Sequence, residues 1–244
     1  SGYIDHSNFF NGGMDVINSH YGSLLNILKT IDLKNIKKII QIGSSDEYGN
    51  LPSPQNEAMR EEPISPYAFG KLASTNLLQM LFKTENIPIV ILRLFLVYGE
   101  GQSLNRFLPQ IINGCLQNKK FSTTDGKQIK DFCYVSDIVE GILMAIKSDR
   151  VNGQIINLAS GQPVSIRSII EKVIDIIGYG NPQFGRIKYR PNENLSLYAD
   201  ISKAKKLMSW QPKIDLDNGL KKTIDYYSKI GRAHVWTPVT DVSR

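Results

Sequence analysis

The sequence predicts an α/β fold built on a doubly wound parallel sheet. Three short apolar runs, at residues 38–43, 88–95 and 153–159, are predicted to be buried strands. Parallel strands that are covered on both faces are apolar throughout rather than alternating. Segments with apolar residues at helical spacing separate these runs, and strands that alternate with helices favour a parallel sheet with helices on both faces.

The elements follow in order along the chain. Residues 15–31 repeat apolar side chains at helical spacing, so a helix precedes the first strand. Residues 50–66 are rich in proline and form a long loop, whose length makes it a candidate functional segment. Ser65 can cap the next helix, with Pro66 in its first turn. Helices are predicted at residues 66–83, 106–117, 136–147, 166–177, 201–208 and 219–227.

Composition and charge exclude several classes of protein. The 244 residues are 41% hydrophobic and 21% charged, which is typical of globular domains and excludes disordered and fibrous proteins. The longest apolar stretch is interrupted by Pro88 and Arg93 and falls short of the roughly 18 residues that a membrane span needs. The 29 basic and 23 acidic residues are scattered, which disfavours nucleic acid as a partner. A modest positive field suits an anionic small substrate.

Cys115 and Cys133 are too few for a disulfide framework and lack the spacing of metal ligands. We therefore expect no metal site and a cytoplasmic location. Asp131 and Asp137 are predicted to be structural.

The carboxyl end of the sequence is interpreted as having a different origin. Residues 230–244 read IGRAHVWTPVTDVSR, which back-translates into a common short-read sequencing adapter followed by an index, with a TGA codon read as Trp236. We therefore expect this tail to be non-native and exclude it from the fold.

Three residues, Ser44, Tyr67 and Lys71, form a candidate catalytic group. Ser44 ends the first predicted strand, at the edge where open α/β sheets bind their ligands. Tyr67 and Lys71 are four residues apart and so share one face of the next helix. A neighbouring ammonium is expected to lower the pKa of the Tyr67 phenol, which would let Tyr67 act as a general acid or base with Ser44 on the same substrate oxygen.

Six ordered blocks resemble the extended short-chain dehydrogenase family of nucleotide-sugar epimerases, dehydratases and reductases. They are GSSDEYG, SPYAFGK, ILRLFLVYGEGQSLNRFLPQII, KDFCYVSDIVEGI, INLASGQPVSI, and YRPNE with ADISKAKKLMSWQP. The resemblance covers about residues 15–227. It implies that residues 1–100 belong to a Rossmann-like domain that binds NAD or NADP, and that residues 131–160 partly return to this domain. It also implies a smaller α/β domain, in 101–229, that mainly binds the nucleotide-sugar substrate, and a homodimer.

The resemblance also implies site residues. Ser44, Tyr67 and Lys71 would be catalytic, with Tyr67 shuttling a proton while hydride moves between the nicotinamide and carbon 4 of the sugar. The residues implied in cofactor binding are Tyr67, Lys71 and Arg93. Those implied in substrate binding are Ser45, Asp46, Asn105, Arg106 and Arg190.

The chain departs from the family in several places. Leu96 stands where the family usually has Asn, Glu100 interrupts the YGPG turn, and Lys130 replaces the Arg of the RDF block. No GxxGxxG loop precedes the first helix, so about 60 residues, or two βα units, are expected to be missing. We expect the fragment itself to be inactive.

The SSDEYG block bears on the reaction. Dehydratases of this family have the block Thr-Asp-Glu-Val-Tyr-Gly. When the two blocks are aligned on Tyr48 and Gly49, the acidic residues Asp46 and Glu47 lie one position later than the Asp and Glu of the dehydratases. One residue along a strand turns a side chain to the opposite face, which disfavours dehydration. The block looks more like that of nucleotide 4-keto-6-deoxysugar reductases, with a 4-epimerase as the alternative. If the protein is not an enzyme, the alternative is an inactive scaffold that binds nucleotides.

Overall fold

The computed structural model describes Asp5 and residues 7–189 and 193–234. The strands are β1 (Ile39–Ser44), β2 (Ile89–Leu94), β3 (Leu96–Tyr98), β4 (Lys120–Ser122), β5 (Ile129–Tyr134), β6 (Gln154–Leu158), β7 (Pro163–Ser165), β8 (Asn181–Gln183) and β9 (Ser196–Leu197). The helices are α1 (Met14–Ile17), α2 (Ser23–Thr30), α3 (Pro66–Glu85), α4 (Phe107–Leu116), α5 (Val135–Lys147), α6 (Ile166–Ile177), α7 (Ser202–Met208) and α8 (Leu216–His234). None of the helices described is both long and apolar enough to cross a membrane.

The three predicted strands form one sheet in the order β1-β2-β6, and every pairing is parallel. In this register Ser44 pairs with Leu94, and Leu94 pairs with Leu158. The carboxyl ends of all three strands therefore meet at one edge of the sheet. The predicted parallel α/β fold is confirmed.

The side chains of β2 show why the sheet is covered on both faces. Ile89 and Ile91 pack in a buried cluster with Leu24 of α2 and Leu78 of α3. Val90 and Leu92 point to the other face, where they join a cluster with residues of α5 and α7. Successive strand residues point to opposite faces, so an unbroken apolar run fills two cores.

A second group of strands surrounds β5. This strand pairs with β3 and β9 in parallel and with β7 in antiparallel orientation. Helices α4, α6 and α8 supply apolar side chains to a separate core beside it. The helical pattern predicted these helices. The strands β3, β7 and β9 have only two or three residues, too few for a periodic signal, and Lys130 and Asp131 interrupt the apolar residues of β5. The domain boundaries remain a prediction.

The two aspartates predicted to be structural are buried and bonded to the main chain. Asp131 accepts hydrogen bonds from the backbone N–H groups of Ser160, Gly161 and Ala199. Asp137 accepts one from the N–H of Ile214. Such buried carboxylates join segments that are distant in sequence.

Hydrogen bonds attach the proline-rich loop to the rest of the protein at several points. Ser53 Oγ donates to the carbonyl of Ser196, and the N–H of Gln55 donates to the carbonyl of Tyr198. The loop then returns against Gly49, where a Cβ would lie 1.9 Å from the carbonyl oxygen of Glu62. Gly49 has φ +62°, so glycine suits both the conformation and the close approach.

The last helix continues to His234, into the tail interpreted as non-native, and residues 235–244 lie outside the described part. Deleting residues 230–244 is expected to leave the melting temperature and activity of the whole protein unchanged, because adapter-derived sequence was never selected to pack. Among the α8 residues whose burial is described, Leu220, Ile224 and Tyr227 are buried and precede the cut. Thermal melts of the truncated and intact chains check this. A fall of several degrees, about 1 kcal/mol or more, contradicts it.

Candidate active site

A cavity of about 790 Å³ opens at the carboxyl edge of the β1-β2-β6 sheet. Its wall contains the end of β1, the start of α3, the chain from β2 to β3 and the start of α4. Open α/β sheets bind ligands at this edge. The predicted site residues that line the cavity are Ser44, Ser45, Asp46, Tyr67, Lys71, Asn105 and Arg106.

Ser44 is held at the end of β1 by local hydrogen bonds. Its backbone N–H donates to Glu47 Oε1 at 2.9 Å, and its Oγ accepts from the N–H of Asp46 at 3.2 Å. Because this second bond uses a lone pair, the hydroxyl hydrogen remains to be donated. The Ser44 hydroxyl also lies close enough to the Tyr67 phenol to lower its pKa.

Tyr67 lies in the first turn of α3, where the Ser65 hydroxyl caps the helix by accepting from the N–H of Ala68 at 3.1 Å. The Tyr67 ring is buried and makes an edge contact with His20, with ring centroids 5.0 Å apart. Burial raises the pKa of Tyr67 to about 12, although the nearby Ser44 hydroxyl and the charge of Arg106 act in the opposite direction. The expected lowering of this pKa is wrong for the chain as described, and at neutral pH the phenol is protonated.

Lys71 lies one turn further along α3. Its Nζ is 5.9 Å from the centroid of the Tyr67 ring and donates to the carbonyl of Ile42 at 3.0 Å. Burial lowers the pKa of Lys71, and the charge of Glu47 opposes this. An ammonium has three donors, so the bond to Ile42 leaves donors for ligand hydroxyls at the cavity wall. This donor set fits the ribose of a nicotinamide cofactor.

Basic and polar residues line the rest of the cavity. Arg106 immediately precedes α4, and its positive charge acts to lower the pKa of Tyr67. Lys130 and Lys188 line the same cavity. Cations grouped in this way suit a diphosphate. Arg190 lies outside the described residues, so its predicted substrate contact remains a prediction.

Arg93 does not line the cavity. Its fully buried guanidinium donates from Nε and Nη2 to Glu47 Oε2, at 3.1 and 2.9 Å, and from Nη2 to Glu61 Oε1 at 2.6 Å. It also stacks over the ring of Tyr48, 4.5 Å from the centroid. This corrects the predicted cofactor contact, because a side chain with no exposure and two carboxylate partners is structural.

The family departures have visible consequences. Leu96 lines the cavity, so an apolar side chain occupies the position where the family usually has Asn. Glu100 lies outside the cavity wall and accepts a hydrogen bond from the Tyr134 hydroxyl at 2.5 Å. Lys130 Nζ donates to the carbonyl of Asn194 at 2.6 Å.

Some cavity residues were missed in the sequence. Thr123, Thr124, Gln128 and Lys188 line the end of the cavity formed by the second group of strands. The turn residues around Gly126 (φ +78°) are the only sequence signal near them. Polar residues in a short loop have no periodicity, so their convergence depends on the tertiary fold.

Known proteins share the sequence pattern and fold of this chain. The family profile described as GDP-mannose 4,6 dehydratase matches residues 14–223. UDP-glucuronate 4-epimerase of Thermodesulfobacterium geofontis is 30% identical over 213 residues, which cover 86% of this chain and 65% of that protein. Human dTDP-D-glucose 4,6-dehydratase is 27% identical over 212 residues, covering 84% of this chain and 59% of that protein. The chain therefore spans less than two thirds of the length of these curated relatives.

The fold comparison agrees. The crystal structure of UDP-glucuronic acid 4-epimerase from Bacillus cereus, in complex with UDP-glucuronic acid and NAD, superposes with a TM-score of 0.80 at 31% identity. The match covers 88% of this chain and 69% of that one. Since the family profile matches most of the sequence and the fold agrees, the chain belongs to the extended short-chain dehydrogenase family of nucleotide-sugar epimerases and dehydratases.

Proposed function

We propose that the whole protein transfers hydride at carbon 4 of a nucleotide-activated sugar, with Tyr67 as the proton carrier. The observation that carries this is the meeting of Ser44, Tyr67 and Lys71 at one cavity wall, where the Ser44 hydroxyl is close enough to the Tyr67 phenol to influence its pKa. The two hydroxyls can hold the same sugar oxygen, which gains or loses its proton as its carbon gains or loses hydride.

NAD or NADP would supply the hydride chemistry when bound. Tyr67 and Lys71 are the described residues that would hold the nicotinamide end, Lys71 through the donors left at the cavity wall. Arg106, Asn105, Lys130 and Lys188 would hold the nucleotide diphosphate and sugar. Support comes from the Bacillus cereus epimerase, whose structure contains UDP-glucuronic acid and NAD.

The direction we favour is net reduction of a nucleotide 4-keto-6-deoxysugar. A protonated Tyr67 phenol can give its proton to the ketone oxygen while hydride reaches the carbon, a step that a reductase shares with the second half of an epimerase cycle. The SSDEYG block, which resembles that of the reductases, supports the same direction.

A 4-epimerase is the second candidate. This candidate is supported by sequence identity to named epimerases: 30% to a UDP-glucuronate 4-epimerase and 31% to a protein named as a UDP-glucose epimerase. Dehydration is disfavoured because Glu47 is fully buried against Arg93 and only Asp46 of the acid pair lines the cavity.

Cofactor consumption separates these reactions. Given NADPH and a panel of nucleotide 4-keto-6-deoxysugars, the whole protein is expected to oxidise NADPH in a 1:1 ratio with product, because a reductase leaves the hydride on the sugar. Absorbance at the nicotinamide band and mass spectrometry of the sugar measure the two amounts.

Other outcomes select other functions. Flat absorbance with a new sugar of unchanged mass, formed from a nucleotide hexose, identifies an epimerase, because the hydride returns to the sugar within one cycle. Flat absorbance with loss of water identifies a dehydratase. Tight NADPH binding without turnover of any nucleotide sugar supports the inactive scaffold and contradicts the proposal. A homodimer remains a prediction that light scattering can check.

A further inference from the structure

We propose that Glu47 is a positioning residue for this site: its carboxylate fastens the strand end that carries Ser44 to the helix face that carries Tyr67 and Lys71. The inference rests on the proposed function, because a site for hydride and proton transfer needs these groups at fixed separations. Glu47 itself does not line the cavity.

The two oxygens of the Glu47 carboxylate bond to different elements. Oε1 accepts from the backbone N–H of Ser44 at 2.9 Å. Oε2 accepts from Thr75 Oγ1, on α3, at 2.8 Å. Thr75 follows Lys71 by four residues and Tyr67 by eight, so all three lie along one face of the helix. A single carboxylate thus joins Ser44 to the helix face that carries Tyr67 and Lys71.

The carboxylate has little freedom to turn. Glu47, Thr75 and Arg93 are all fully buried. Two guanidinium N–H groups of Arg93 donate to the same Oε2 that accepts from Thr75, while Ser44 N–H donates to Oε1, so hydrogen bonds at both oxygens limit rotation of the carboxylate. A Cβ on Gly43 would lie 2.7 Å from Glu47 Oε1, so glycine at this position leaves space for the carboxylate.

Removing only the link to the helix tests the inference. Thr75→Val in the whole protein keeps the side-chain shape and leaves the Glu47–Arg93 pair intact. We expect kcat to fall about 10- to 100-fold, as for a sub-ångström to 1 Å misplacement. KM for the nucleotide sugar and the cofactor should stay within about twofold, because no residue of the cavity wall changes. Thr75→Ser, which restores the hydroxyl, should recover most of kcat.

Thr223→Val is the matched control. Thr223 is also fully buried in a helix, and its hydroxyl donates to the carbonyl of Gly219 at 2.7 Å, in α8. Both valine variants should lower the melting temperature by similar amounts, while only Thr75→Val lowers kcat. A kcat within about twofold of wild type in Thr75→Val, or an equal loss of kcat in both variants, overturns the inference.

Amide hydrogen exchange gives a readout that does not need turnover. In Thr75→Val, the N–H of Ser44 should exchange about tenfold faster than in wild type, while α6 is unchanged, because the acceptor Glu47 is held less firmly. Unchanged exchange at Ser44 overturns the positioning role. If the wild-type protein turns over no nucleotide sugar, the proposed function fails, and the exchange result still decides whether Glu47 fastens the two elements.

Discussion

Tyr67→Phe is expected to lower kcat of the whole protein by roughly 10²- to 10⁴-fold, the usual contribution of a general acid or base. The substitution removes the proton carrier and keeps the buried ring, with its edge contact to His20. Cofactor affinity should change far less than kcat, because the donors of Lys71 that would hold the nicotinamide ribose are kept. Steady-state turnover together with a fluorescence titration of the cofactor measures both effects.

Tyr48→Phe is the control for this variant. Tyr48 is fully buried, and its hydroxyl donates to Asn157 Oδ1 at 2.8 Å, but it does not line the cavity. Its loss should reduce stability by about 1 kcal/mol and leave kcat nearly unchanged. A loss of less than tenfold in kcat for Tyr67→Phe, or an equal loss in both variants, contradicts the role given to Tyr67.

Arg93→Met should cost the 244-residue chain about 3–5 kcal/mol of unfolding free energy. It leaves the buried carboxylate of Glu47 and the largely buried one of Glu61 without their shared cation. The long apolar side chain of methionine keeps much of the volume, so the cost comes mainly from unpaired charge rather than from a cavity. Urea unfolding, followed by circular dichroism, measures it.

Arg150→Met provides the comparison. Arg150 is exposed, and a surface substitution of this kind usually changes stability by less than about 0.5 kcal/mol. The triple change Arg93→Met, Glu47→Gln and Glu61→Gln should recover part of the loss, because it removes the charges that Arg93→Met leaves unpaired. A cost below about 1 kcal/mol for Arg93→Met would show that the buried ion pairs contribute little.

The positions of Ser44, Tyr67 and Lys71 at one cavity wall were predictable because their signals are local. Ser44 follows a short apolar run typical of a buried strand, and Tyr67 and Lys71 have helical spacing behind a serine cap and a proline. The register of parallel strands then decides which strand ends meet. The helices were predictable for the same reason, since their apolar periodicity extends over several turns.

The environment of Arg93 and the pKa of Tyr67 could not be predicted. The partners of Arg93 are separated from it by 46 and 32 residues, and one of them lies in the irregular proline-rich loop. The spacing of Tyr67 and Lys71 indicated a nearby cation but could not indicate how deeply the phenol is buried. Burial is a property of the assembled fold, and for this phenol it outweighs the opposing interactions.

The proline-rich loop of residues 50–66 was a candidate functional segment because of its length, yet the part that precedes α3 does not line the cavity. It spans from the end of β1 to the segment around Tyr198 and back to α3, with Glu61 bonded to Arg93 on the way. Its length is therefore set by the distance it must cover. An insertion or deletion here would shift these anchor points against one another, so among homologous sequences its length should vary less than that of an exposed turn.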